Sequence, residues 1–476
     1  MKVDEYAAQD ASGLASLIRS GEVSVAEVHN AARKAIELVN PKINALAGPL
    51  FDVPLDYNAN GPFAGVPFAI KDLFCHAANV PMQFGSRMVP ADFSFPYDTS
   101  LMKRWRSAGL ATLGRTTVPE FGWSVNTETL LMGSTCNPWN TGRIAGGSSG
   151  GAAAIVGAGA LPVAHASDGG GSIRCPSAWC GLVGLKPTRG RISFAPDAGE
   201  ALFGQAIEFA VTRSVRDAAA LLDVVEGHEL GEKYEIVRPS RHYTQEVGVA
   251  PGKLKIAFSP RGWSDVAIDP ACVAAVEKTA TVLAGLGHHV EEATPKFDVE
   301  AFNSAGVTQW SVCLADIICG IGTMLNVNPT PDNLEAVLFA VVEHGKNLSA
   351  LDLMVAEHAM NATCRAVGSF FQDYDILLTP TVACPAPPLG SLNTNEAGLD
   401  AATWTRKVFT LAPFTYLFNV TGQPAITLPL CMSDDGLPIG LQFVAHFGDE
   451  ATLFRLAAQL EKAMPWAGRR PQVYPA

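Results

Sequence analysis

The chain has 476 residues, 48% hydrophobic and only 17% charged, which provides for a large buried core and excludes a globally disordered polypeptide. Its formal charge of -12, with no Lys/Arg-rich run to offset it locally, argues against nucleic acid or an anionic membrane as partner and points to small molecules or protein. Ten cysteines show no CxxC spacing and ten histidines no HExxH, so buried free thiols are expected, with neither a metal nor a cofactor.

At the N-terminus, MKVDEYAAQDASG carries acidic residues where an export signal would carry an apolar core, and a cytoplasmic location is the expectation. Residues 1 to about 60 read as a helical layer. Ser24 opens S-V-A-E, a capping box with Glu27, and Val25, Val28, Ile36 and Val39 follow close to a helical period. From Gly65 the pattern changes to short apolar runs separated by helices: GVPFAI, TSLMKRWRSAG, LATLGRT, then AAAIVGAGA followed by LPVAHAS. The small-apolar run over residues 150–164 is too short for a membrane span and contains Pro162, so it reads as a buried helix running into a strand.

An irregular middle leads to KIAFS, a long amphipathic helix around residues 270–286, and HVEEA. Residues from about 299 to 372 read as a mainly helical insertion over the sheet. Strands then return in DILLTPT, PAITLP and IGLQFVA, before a final helix, ATLFRLAAQLEKA. Residues 384–395, rich in Pro, Gly and Asn, read as a surface loop. Because strands come from both ends, the expectation is an α/β fold in one domain over 1–476. A central mixed, twisted β-sheet would be covered by helices on both faces.

Chemistry concentrates in two serine-bearing glycine loops and one lysine. Ser172 follows Gly169, Gly170 and Gly171 in DGGGSIR, where the glycines let successive backbone N–H groups turn inward towards an oxyanion. A flexible loop is the plainer reading of such a segment, but its apolar flanks, LPVAHAS and GLVGLKP, count against that. GGSSGG, with Ser148 and Ser149, reads by composition as a Gly/Ser connector. It also satisfies the G-x-S-x-G elbow, which requires a preceding strand and a histidine, whereas TCNPWNTGRIA before it reads as loop. Lys71 ends the apolar run GVPFAI, where an ammonium is costly to bury unless it is paired, with Asp72 for instance, or neutral and able to act as a base. The residues alone leave both open.

Together, GVPFAIKD, GGSSGG and DGGGSIRCPSAWCGLVGLKPTRG closely resemble the amidase signature family of serine hydrolases. STCNPWN, TRSVRDAAALLDVVEG, DYDILLTPT, FNVTGQPAITLP and GLPIGLQFVA extend the resemblance over nearly the whole chain. It implies the amidase signature fold and a Ser, cis-Ser, Lys triad. In that triad Ser172 is the nucleophile, Ser148 the bridging serine after a cis peptide bond, and Lys71 the base. Gly169, Gly170, Gly171 and Ser172 would offer N–H groups to the oxyanion, while Ser149, Asp168 and Arg174 would support the loops. Gly169 is a departure, since a larger side chain often stands there in the family.

The implied partner is a small-molecule amide, cleaved through an acyl-enzyme; a homo-oligomer is left open. Residues 121–126, 130–132, 201–205 and the helix around 310–319 are candidates for the substrate walls, in particular Asn126, Met132, Gln205, Trp310 and Cys313. Their mostly neutral character favours a neutral, partly hydrophobic amide: an aryl or aliphatic amide, a nylon-type oligomer or a carbamate. The competing readings are a glutamine-hydrolysing transamidation subunit, which would carry a GYYDAYY-like segment where this chain has AEHAMNATCRAVGSFFQDYD, and a catalytically silent binding protein.

Overall fold

Strand residues alternate between two separate apolar cores, and that alternation explains the layered architecture. In the computed structural model, which describes residues 1–475, Ile376 and Leu378 enter one core and Leu377 the other. Ile426 and Leu428 likewise face away from Ala425, and Phe443 and Ala445 away from Val444. Successive side chains on a strand point to opposite faces, so strands buried on both sides read as continuous apolar runs rather than as polar/apolar alternation.

These strands form an eight-stranded mixed sheet. From one edge to the other its order is His289–Glu292, Lys255–Phe258, Ile376–Pro380, Pro438–Ala445, Ala425–Met432, Val183–Lys186, Ile207–Thr212 and Val163–Asp168. The first three are parallel and the remaining pairings antiparallel. Neighbours drawn from distant parts of the chain make the sheet one interleaved unit. Val183–Lys186 and Ile207–Thr212 lie in stretches expected to be irregular, and they bridge the C-terminal strands to Val163–Asp168. Beside that last strand packs a parallel pair, Pro67–Lys71 with Ala111–Thr116.

One face is covered by Val25–Ile43, Gly150–Gly157, Val215–Val225 and Glu450–Ala463. The N-terminal helices end at Ile43, short of residue 60, and Ser24 and Glu27 form the reciprocal cap: Glu27 N–H donates to Ser24 Oγ at 3.2 Å and Ser24 N–H to the Glu27 carboxylate at 2.9 Å. The other face carries Val299–Leu325, Ala336–Lys346, Ala350–Phe370 and Ala401–Leu411. Among the described residues, Val299–Leu325 is the one helix long and apolar enough to cross a membrane, a feature the sequence reading passed over; 56% of its most apolar stretch is buried inside the molecule. Its apolarity follows from packing between the sheet and its helical neighbours.

Candidate active site

Three distant segments converge around strand Val163–Asp168. Lys71 closes Pro67–Lys71, Ser148 sits in the loop entering helix Gly150–Gly157, and Ser172 lies in the turn between Val163–Asp168 and helix Arg174–Cys180.

Lys71 is fully buried, and its Nζ donates to Ser148 Oγ at 2.7 Å and to Ser167 Oγ at 2.8 Å. Burial pushes its amine down to about 7, against the opposing pull of the Asp168 and Glu208 charges. A buried ammonium loses its hydration, so the neutral form gains near neutral pH. Asp72 turns elsewhere: it lies 3.8 Å from Arg115 and accepts the N–H groups of Gln83 and Gly85. The pairing of Lys71 with Asp72 is therefore not made.

GGSSGG is buried throughout and is not a flexible connector. A Cβ on Gly150 would stand 2.3 Å from Thr127 Oγ1, so the helix start can approach that segment only as glycine. The Gly147–Ser148 peptide bond is cis. Ser149 Oγ donates to the Ser167 carbonyl at 3.1 Å and accepts the Ser167 N–H at 3.2 Å, fastening this loop to the strand. The segment before the loop corrects an expectation: Asn140–Ile144 is a strand, paired with Cys136–Asn137, because the chain reverses at Pro138 and Trp139. Even so, the partner of Ser148 is Lys71 and not a histidine, and the elbow arrangement is not formed.

In the second loop Asp168 is the hub. Its carboxylate accepts the N–H of Gly171 at 2.8 Å, Arg174 Nε at 2.9 Å and Nη2 at 2.8 Å, and Asn419 Nδ2 at 2.9 Å. Burial alone would raise its pKa; the Arg174 charge and hydrogen bonds, with Asn419, override this and hold it well below the ordinary carboxylate range. Arg174 Nη1 continues to the Thr415 carbonyl and Gln442 Oε1, tying the loop to the C-terminal part of the sheet. Gly171, at φ +134, occupies a conformation L side chains rarely adopt. Its N–H is spoken for by Asp168, whereas those of Gly169, Gly170 and Ser172 have no protein acceptor among the described residues. No hydrogen bond joins Ser148 to the half-buried Ser172 in this conformation.

Ser172 opens onto a cleft of about 320 Å³, its solvent-open mouth included, which Gly147, Gly170 and Gly171 also line. The far walls are Trp123, Val125, Trp310, Val408 and Phe409, and no charged side chain contributes. Trp123 stacks on Trp310 with centroids 4.2 Å apart, joining the 121–126 loop to the helical layer. The expected 121–126 segment supplies Gly122, Trp123, Ser124 and Val125 to this cleft, and of the five residues singled out individually Trp310 alone lines it. Asn126 is buried with its backbone against Gly147 and its amide on Glu128. Met132 sits in a loop whose carbonyl accepts from Asn44 Nδ2 at 2.7 Å. Gln205 is held in a buried polar chain, donating to Gln309 at 2.6 Å and accepting from Tyr416 at 3.0 Å. Cys313 lies one turn beyond Trp310, its thiol pushed up to about 12, first by burial. Ala201 and Gly204 line a neighbouring cavity with Arg189 and Glu200 instead.

The family model for Amidase matches residues 27–454. The chain belongs to the amidase family. It is 40% identical to 6-aminohexanoate-cyclic-dimer hydrolases of Paenarthrobacter ureafaciens and of Pseudomonas sp. strain NK87, in each case across 99% of this chain and 98% of the relative. A solved structure of 6-aminohexanoate cyclic dimer hydrolase complexed with substrate superposes with a TM-score of 0.92 at 38% identity, covering 98% of this chain and 99% of that one. The protein is thus an amide-cleaving hydrolase of the α/β amidase fold. Ser167, His165 and Glu208 stand around the lysine of this amidase and were missed in the sequence. The signal available was alternation in HASD, which sets residues 165 and 167 on one face of their strand.

Proposed function

We propose that this amidase hydrolyses neutral amides with an apolar body through Ser172 as nucleophile, Ser148 as relay and Lys71 as base. The observation that carries the assignment is the buried 2.7 Å contact between Lys71 Nζ and Ser148 Oγ, set beside a cleft that holds Ser172 and no charged side chain. With Nζ neutral, Ser148 passes its proton to Lys71 and takes the proton of Ser172 as Ser172 Oγ bonds to the amide carbonyl carbon. Substrate binding has to close the link between Ser148 and Ser172, as catalytic hydrogen bonds often tighten only in the complex. The oxyanion is received by the N–H groups of Gly169, Gly170 and Ser172; one such donor is worth roughly 3 to 4 kcal/mol in other serine hydrolases. Collapse breaks the C–N bond, and the same path returns the proton to the leaving nitrogen. Water then attacks the acyl-enzyme, giving up a proton through the relay, and frees the carboxylic acid and Ser172.

The aromatic cleft and the 40% identity to enzymes named for the cyclic dimer make 6-aminohexanoate cyclic dimer the first substrate to test. Purified protein is expected to cleave it, or an anilide or carbamate, with Ser172→Ala inactive and a fluorophosphonate adduct on Ser172. Hydrolysis of glutamine in place of all of these, or a folded protein that Ser172-directed reagents leave unlabelled, would overturn the assignment.

A further inference from the structure

Beside Lys71 lie a buried acid and an imidazole for which the relay has no use. Glu208 stands opposite Ser167 in the pairing of Val163–Asp168 with Ile207–Thr212, so Glu208, Ser167 and His165 share one face of the sheet. Glu208 is 1% exposed and His165 fully buried. His165 Nδ1 accepts the backbone N–H of Lys71 at 3.2 Å, which leaves the ring proton of neutral imidazole on Nε2, 3.1 Å from Glu208 Oε1 but not aligned for a hydrogen bond to it. Glu208 Oε1 also accepts the Cys75 N–H at 2.9 Å. No arginine or lysine forms a salt bridge with Glu208 among the described residues. A buried carboxylate without a cationic partner is costly unless a charge nearby repays it.

We propose that Glu208 and His165 are positioning residues: the imidazole fixes the end of the lysine-bearing strand, and the carboxylate supplies the negative charge against which Lys71 exchanges its proton. The proposal rests on Lys71 as the base. Burial disfavours the protonated lysine, and Asp168 and then Glu208 favour it, so the Glu208 charge helps to bring the amine back towards neutral pH from below. The other groups acting there are accounted for. Asp168 has the same sign and the larger pull on Lys71, but its carboxylate is committed to Arg174 at 2.8 Å, a cationic partner that Glu208 lacks. Arg115 donates to the Lys71 carbonyl at 3.0 Å and faces Asp72. Burial holds His165 neutral and raises the Cys75 thiol, and Ser148 and Ser167 are uncharged. Cys75, His165 and Glu208 bring ligand-type atoms within 4.8 Å of one another, yet the Arg115 charge bears on both Cys75 and His165, a setting that opposes a further cation.

The test is the pH dependence of kcat/KM on an anilide and of the rate of fluorophosphonate labelling at Ser172, in full-length protein. Glu208→Gln is expected to move the acid limb of both profiles down by about one pH unit, lower plateau kcat several-fold and leave KM unchanged. Glu208→Asp, which keeps the charge, should bring the limb back towards that of the unsubstituted protein. If Glu208→Gln does not fold, His165→Phe is read instead. Deleting the ring N–H removes a dipole 3.1 Å from the carboxylate, so the Glu208 charge acts more strongly on Lys71 and the limb should move up. A limb unmoved in the folded variant, with Lys71→Ala inactive, overturns the pair's role and spares Lys71 as base. A Lys71→Ala variant that keeps both activity and the acid limb overturns the base itself, and the pair's role with it.

Discussion

Ser167 and Gly171 define how finely the lysine and the glycine turn before Ser172 are held. Ser167 Oγ is the second acceptor for Lys71 Nζ, and its backbone N–H and carbonyl both engage Ser149, so one residue ties the lysine to the loop that carries Ser148. Losing a buried hydrogen bond leaves the amine partly unsatisfied at a cost of about 1 to 3 kcal/mol, and Ser167→Ala is expected to lower kcat roughly tenfold or more with little change in KM. Steady-state kinetics check this, and an unchanged kcat would remove Ser167 from the site. At Gly171 an added Cβ would meet Thr415 Oγ1 at 2.4 Å and Cys175 Sγ at 2.7 Å, in a conformation already closed to alanine. Gly171→Ala should therefore displace the turn, lowering both melting temperature and fluorophosphonate labelling. The family motifs made Lys71, Ser148 and Ser172 legible as candidates; the engagement of the Gly171 N–H by Asp168 was not, since it depends on where a carboxylate points.

At the scale of elements, the N-terminal helices depend on a partner far along the chain. Asp217, in helix Val215–Val225, accepts the N–H groups of Ala11 at 2.7 Å and Ser12 at 2.8 Å, satisfying donors at the start of helix Ala11–Ser20 that have no partner within it. Asp217→Ala should lower stability by about 2 kcal/mol, read as a lower urea midpoint with kcat unchanged, because the cap lies on the sheet face away from the cleft. Helix Val25–Ile43 was readable from its capping box and period. Strands Val183–Lys186 and Ile207–Thr212 were not, since each is short and buried on both sides, and apolar runs of that length carry no period that separates strand from helix. Helix Ala401–Leu411 also escaped, though its last turns give Val408 and Phe409 to the cleft.

For the whole molecule, pH should act on activity and stability through different buried groups. Lys71 must be neutral to accept a proton, so kcat/KM should rise to a plateau above about pH 7; a profile flat from pH 5 to 8 would contradict its role. Glu120, beside the cleft loop, accepts from the Glu335 N–H at 2.7 Å and joins that loop to the helical layer. Burial, then the Glu335 charge, pushes its carboxyl up to about 8. Unfolded, the group ionises near pH 4, so its stabilising contribution is complete below about pH 4 and is lost as pH rises towards 8. Glu120→Gln should flatten the fall in melting temperature between pH 5 and 8, and an unaltered slope would show that the carboxyl is ionised throughout. The α/β alternation and the family motifs that single out Lys71, Ser148 and Ser172 as candidates were determined by the sequence itself, because apolar periodicity and motif are properties of residue type and order. Which aromatic side chains wall the cleft, which N–H groups stay free and which carboxylate backs the lysine were decided only by the tertiary structure. Each of these depends on strands and helices distant in the chain being brought side by side, and local sequence does not encode such distances.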